Sequence, residues 1–221
     1  ALGTRSGRSV VLAALLGGPI GMSGYLIAID NIGPGLTAII STFYPAVGTF
    51  LAFLLLKERM RPRQILALLV ALGAIVVTGW SATSDPVEGG NAVLGVVAAL
   101  ACVVGWGSEA VILAWGMRDD LVDNETALQI RETTSGLVYL LVVAPIAGVF
   151  SFTLNAVPTW GTGVVALAAL AGTASYLFYY KAIAAIGASR GMALNISYSA
   201  WAIIFALLLQ NTVPSPIQIV C

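Results

Sequence analysis

The chain has 221 residues, 59% hydrophobic and only 9% charged, with ten basic and ten acidic residues and no net charge. Soluble domains carry about 25% charged residues, so too few polar groups are present to cover a globule in water, and the membrane class follows. The absence of histidine removes imidazole metal sites and His-based triads, no basic tract suggests nucleic acid, and Cys102 and Cys221 make no disulfide framework.

A bilayer core about 30 Å thick needs about 20 apolar residues of helix. Seven runs qualify: 10–29, 34–56, 64–80, 92–116, 126–148, 161–181 and 190–210. They are apolar nearly all round, as buried or lipid-facing helices are, and lack the alternation of porin strands. The predicted class is an all-α, polytopic membrane bundle. The first run holds Gly17, Gly18, Gly21 and Gly24 beside Pro19. Gly17-x-x-x-Gly21 reads as a close-packing surface, with a flexible gate as the alternative. The second run, within "ISTFYPAVGTFLAFLLLKERMRPR", has Pro45 at its middle and a cluster of charges at its end. A mid-helix proline predicts a kink that strips the Ser41 carbonyl of its partner. Either a neighbouring helix satisfies that carbonyl, or it lines a cavity with Ser41, Thr42 and Tyr44.

The fourth run carries Glu109 in "GWGSEAVILAWGM", about five residues, or roughly 7 Å, from its centre. An intramembrane carboxylate is a functional-site hypothesis by default. Trp106 lies one turn away on the same face, a combination that suits a cation. In the acidic link "MRDDLVDNE", Asp123 or Asn124 is expected to cap the fifth run, with Glu125 favoured in its first turn. Arg131 sits at matching depth in that run and is placed to pair with Glu109. The pair reads as a structural lock, as a coupling carboxylate, or as side chains snorkelling to water. The sixth run carries Tyr176, Tyr179 and Tyr180, which read as cavity lining or interface anchors. The seventh carries Asn195, Ser197, Tyr198 and Trp201 at the depth of Tyr44.

Counting spans places all ten basic residues on one side or near its interface, and Asp30, Asp85 and Glu88 on the other. The basic side, with "KERMRPR", is expected to be cytoplasmic. Slid by 154 residues, the stretch from Tyr25 overlies the stretch from Tyr179, with 13 of 41 positions identical, among them Tyr25/Tyr179, Gly33/Gly187, Tyr44/Tyr198, Pro62/Pro216 and Gln64/Gln218. The copies are five spans apart, so they are expected to face opposite ways. Inverted repeats of this kind are the architecture of secondary carriers, with the site near the midplane between copies.

These residues resemble the EamA branch of the drug/metabolite transporter superfamily, through "GPGLTAIISTFYPAVGTFLAFLLLKERM", "GAIVVTG" and the second copy from Tyr179. Pro45 and Glu58 fit the family pattern, whereas Ser199 and Thr212 stand at the corresponding positions of the second copy. The resemblance implies ten helices in two inverted sets of five. The chain would then hold a partial first repeat at 1–84, its last three helices, and a partial second repeat at 85–221, its first four. Two N-terminal helices and one C-terminal helix are expected beyond it. The implied function is transport of small metabolites, often amino acids or amphipathic compounds and usually outward, across the cytoplasmic membrane. A cationic multidrug exporter is the alternative.

The expected substrate site comprises Ser41, Tyr44, Pro45, Trp106, Glu109, Asn195, Tyr198 and Trp201, with Glu109 and Arg131 as the coupling or ion pair. No cofactor, metal or catalytic residue is expected. The partners are a small molecule and the bilayer, with a homodimer left open. An intramembrane enzyme lacks a base for Ser108, which shares no helix face with Glu109. A non-transporting scaffold has little reason to bear the insertion cost of polar midspan residues.

Overall fold

A computed structural model describes residues 2–81, 87–119, 121–210 and 213–220, and among them every regular element is helical. α1 Arg5–Leu15 passes through a wide π-helical turn, Leu16–Met22, into α2 Ser23–Ser41. α3 Tyr44–Leu51 ends in a second wide turn, Ala52–Leu56, and α4 Pro62–Ser81 follows. α5 Ala92–Gly116 leads to α6 Asn124–Val138, which continues through a third wide turn, Tyr139–Val143, into α7 Ala144–Ala147. The remaining elements are α8 Phe150–Ala156, α9 Trp160–Ile186, α10 Ala188–Asn195, α11 Tyr198–Gln210 and α12 Pro216–Val220.

Among the described residues, six stretches are long and apolar enough to cross a membrane: Arg5–Ser41, Pro62–Trp80, Ala92–Gly116, Asn124–Ala147, Trp160–Ile186 and Ala188–Leu209. Tyr44–Leu56 is a shorter apolar helix. The protein is therefore a multi-pass helical membrane protein. Gly33 interrupts the first stretch with a non-helical backbone (φ 78°, ψ 163°), just before residue 34, where the second run was expected to start.

α5 is the central helix, packed along α1, the Leu16–Met22 turn, α2 and α3. Small residues allow this. A Cβ at Gly24 would stand 2.6 Å from the Ala98 carbonyl, and one at Gly105 would stand 2.5 Å from the Leu16 carbonyl and 3.2 Å from Gly21 Cα. Backbone approach of this kind is how membrane helices gain packing contact without a hydrophobic drive. The main buried cluster around α5 includes Val10, Val103, Val111, Leu113, Tyr180 and Met192.

Polar caps set the helix starts. Thr4 accepts from Gly7 N–H, Asn91 from Leu94 N–H and Asp123 from Thr126 N–H. Of the two candidates for the α6 cap, Asp123 holds the position. That hydrogen bond holds the Asp123 carboxyl below its usual value.

The basic residues gather at one end of the bundle. There Arg118 donates to the Leu56 carbonyl at 3.1 Å, Arg5 stacks on Trp115, Lys181 pairs with Glu125 and Glu58 meets Ala188 and Ser189. At the other end Asn91 N–H donates to Asn31 and Gly33 faces Val87. Asp85 and Thr212 lie outside the described residues.

Two features mark the repeat physically. Gly33 and Gly187, 154 positions apart, both take extended backbone at positive φ (78° and 90°). Thr42–Phe43 and Ile196–Ser197, again 154 apart, are both non-helical breaks. The helix ending at Gly33 finishes at the Asn91 end, and the one ending at Gly187 finishes at the Glu58 end. The matching units therefore run in opposite directions.

Pro45 behaves differently from the expected kink. The helix stops at Ser41, and Pro45 occupies the first turn of a new helix starting at Tyr44. An N–H is not needed there. The Ser41 and Thr42 hydroxyls both donate to the Ala38 carbonyl, at 3.2 and 2.6 Å, closing the end of α2.

Candidate functional site

The α3 and α10 helices, which flank the two breaks, meet on the inner face of α5. The Asn195 side-chain amide on α10 donates to the Tyr44 hydroxyl on α3 at 2.8 Å. Tyr44 is buried, and its ring meets Trp106 of α5 edge-on at 5.8 Å. Tyr25 lies on the other side of Trp106, with ring centroids 5.4 Å apart. The indole N–H donates to the Gly17 carbonyl at 3.0 Å, which fixes the ring plane. Three aromatic rings and one amide thus line the junction between the copies.

One turn further along α5 stands Glu109, 4% exposed. Arg131 on α6, 8% exposed, donates from Nε to Glu109 Oε1 at 2.8 Å. Its Nη1 reaches Glu132 at 3.0 Å, and the guanidinium lies 3.9 Å above the Tyr176 ring. An unpaired charge in this setting would cost several kcal/mol, and here each charge is met by its opposite. The Glu109 carboxylate has room because residue 17 is glycine: a Cβ there would fall on Oε2. Gly18 likewise admits Ser135, and its carbonyl accepts from the Tyr139 hydroxyl at 3.3 Å. The wide turn at Leu16–Met22 thus presents a cleft to side chains from two other helices.

Two hydroxyls near the pair remain under-used. Ser135 Oγ is buried without a hydrogen-bond partner, one turn from Arg131. Tyr180 Oη, on α9, is likewise buried without a hydrogen-bond partner. Buried polar groups are rarely left so, and a ligand with donors and acceptors would engage both. A cavity of about 560 Å³ lies at the basic end, between Glu58, Met117, Arg118 and Asn124, and reaches Tyr180.

The structure brings together Tyr44, Trp106 and Asn195, and beside them Glu109 and Arg131. Ser41 and Pro45 are buried at the break, with the Ser41 hydroxyl turned onto its own helix. Tyr198 and Trp201 stand apart, 50% and 57% exposed on the flank of α11. Tyr198 does not mirror Tyr44, although the two occupy equivalent positions. Sequence reasoning missed Tyr25, Tyr139, Ser135 and Glu132. Tyr25 had a signal, since it is identical in both copies. Glu132 had one in its position next to Arg131. Among the described residues no group of three or more acidic or cysteine side chains is placed to hold a metal.

Comparison with known proteins agrees with this architecture. Residues 3–80 match the EamA-like transporter family. The chain is 29% identical to Protein LicB of Haemophilus influenzae over 212 residues, spanning 94% of this chain and 69% of that protein.

Proposed function

We propose that the chain, whose residues 3–80 match the EamA-like transporter family, is a secondary carrier of small metabolites in the cytoplasmic membrane, working by alternating access with its basic loops inside. The site is the junction of the copies: Tyr44, Trp106 and Asn195, with Glu109 and Arg131 beneath. The observation that carries this reading is the Asn195–Tyr44 hydrogen bond. It joins the two helix breaks at midspan, where oppositely directed repeats meet and carriers hold their substrate. The Tyr44 hydroxyl and the Asn195 amide offer polar groups to a ligand, and the aromatic rings offer apolar faces.

Glu109 and Arg131 give the site two opposite charges in one place. A ligand that engages either one releases the other, so binding and the state of the pair are linked. Amino acids and amphipathic compounds, exported from the cell, are the proposed class. A cationic multidrug exporter is the second reading, favoured by Trp106, one turn from Glu109, and the two tyrosine rings packed against it. Arg131 already neutralises that carboxylate, which disfavours a fixed cation site.

The test is flux of labelled amino acids and amphipathic metabolites into proteoliposomes, at two pH values, with the full-length protein and its Glu109→Gln variant. The reading expects substrate-dependent flux that Glu109→Gln weakens or makes independent of pH. Flux at the parent rate with the parent pH profile would remove Glu109 from the mechanism. Flux of nothing in the panel would favour a scaffold.

A further inference from the structure

The junction at the basic end is held by one carboxylate. Glu58 accepts hydrogen bonds from the N–H groups of Ala188 and Ser189, each at 3.0 Å. These are the first residues of α10, the half-helix that carries Asn195 and Met192. An anion on free N–H groups at a helix start is a charge-assisted cap, and here it bridges two repeats, 130 and 131 residues apart. Glu58 is itself firmly placed. Lys57 turns the chain with a left-handed backbone (φ 57°, ψ 26°), Glu58 N–H returns to the Ala52 carbonyl at 3.2 Å, and Arg118 holds the Leu56 carbonyl. Gly187 is matched to it: any Cβ there would stand 2.9 Å from Glu58 Oε1, and the positive φ of 90° would strain it further.

The other face has no equivalent in sequence. By the 154-residue offset, Ala188 corresponds to Pro34, which has no N–H to donate, and Glu58 corresponds to Thr212, which has no charge. The two ends of an otherwise repeated architecture therefore differ in this fastening.

We infer that Glu58 is a one-sided latch: it docks α10 against the first repeat and holds the basic face shut, and its release lets α10 swing away and opens the path past Tyr180 to Glu109. This rests on the carrier reading above. α10 is the element to move because its Met192 is fully buried against Gly48 of α3, so its departure uncovers a known contact.

The experiment places a reporter thiol at position 192 (Met192→Cys) in the full-length protein, with Cys102 and Cys221 replaced by alanine. Labelling by a membrane-impermeant maleimide is timed in everted vesicles and in intact cells. Glu58→Gln, which removes the charge, and Gly187→Ala, which dislodges the carboxylate from the other side, are each expected to speed labelling about tenfold. Glu58→Asp is expected to restore part of the parent rate. The increase is expected in everted vesicles only. Parent-rate labelling in whichever of the two disrupting variants remains monodisperse overturns the latch, as does faster labelling in intact cells. The readout needs no substrate. Unchanged labelling beside intact flux would sink the latch alone, and faster labelling with no flux of any kind would sink the carrier reading alone.

Discussion

At the residue scale, Glu109 and Arg131 form a buried ion pair beside the proposed site. Removing one partner leaves a buried charge unmatched, so Arg131→Ala is expected to cost about 3–5 kcal/mol. Glu109→Gln combined with Arg131→Met is expected to cost less than the sum of the single changes. The check is a double-mutant cycle on thermal unfolding in detergent, and strict additivity would show the two residues uncoupled. Gly17 gives a second prediction. Gly17→Ala drives a methyl into the Glu109 carboxylate and should lower stability by about 1–3 kcal/mol, whereas Gly73→Ala, which meets nothing within 4 Å, should be neutral or slightly stabilising. Comparing the two melting temperatures separates space from helix propensity. Glu109 and Arg131 were legible in sequence because charge is so rare in this chain that each instance stands out. Glu58 was legible only as part of a pattern. Its capping of α10 joins residues 130 positions apart and left no local signal.

At the element scale, the helix breaks matter more than the proline that drew attention to one of them. The second copy breaks at Ile196–Ser197 with Ser199 where the first has Pro45. The break is therefore a property of the junction rather than of proline. Pro45→Ala is expected to leave the α2–α3 break in place and cost about 1 kcal/mol or less; a large loss of folded protein would show that proline itself enforces the break. The α6 start is a separate case. Asp123→Ala should lower the thermal-unfolding midpoint at neutral pH, and Asp123→Asn should lower it much less. The Thr126 N–H holds the carboxyl below its ordinary value of 3.8. Its contribution is therefore complete above that value and is lost as pH falls through the lowered one. Hydrophobic run lengths located the helices because lipid allows only self-satisfied backbone. The wide turns at Leu16–Met22, Ala52–Leu56 and Tyr139–Val143 were not legible, since one extra residue per turn leaves composition unchanged. Nor was α8, which lies between the fifth and sixth runs.

At the scale of the whole molecule, the repeat was legible because a 154-residue offset aligned tyrosines, a glycine, a proline and a glutamine that apolar bias rarely matches. The positive-φ glycines and the paired breaks show the same offset in the backbone. The exposure of Tyr198 was not legible: the copies share a pattern but not their neighbours, and Asn195 rather than Tyr198 reaches the partner copy. These copies are expected to insert upside down relative to each other, with the basic end in the cytoplasm. Single cysteines at Arg59 and Glu88, in a background without Cys102 and Cys221, test it by impermeant labelling of intact cells and everted vesicles. Position 88 should react in intact cells and position 59 only in everted vesicles; reaction of both from the same face would contradict the account.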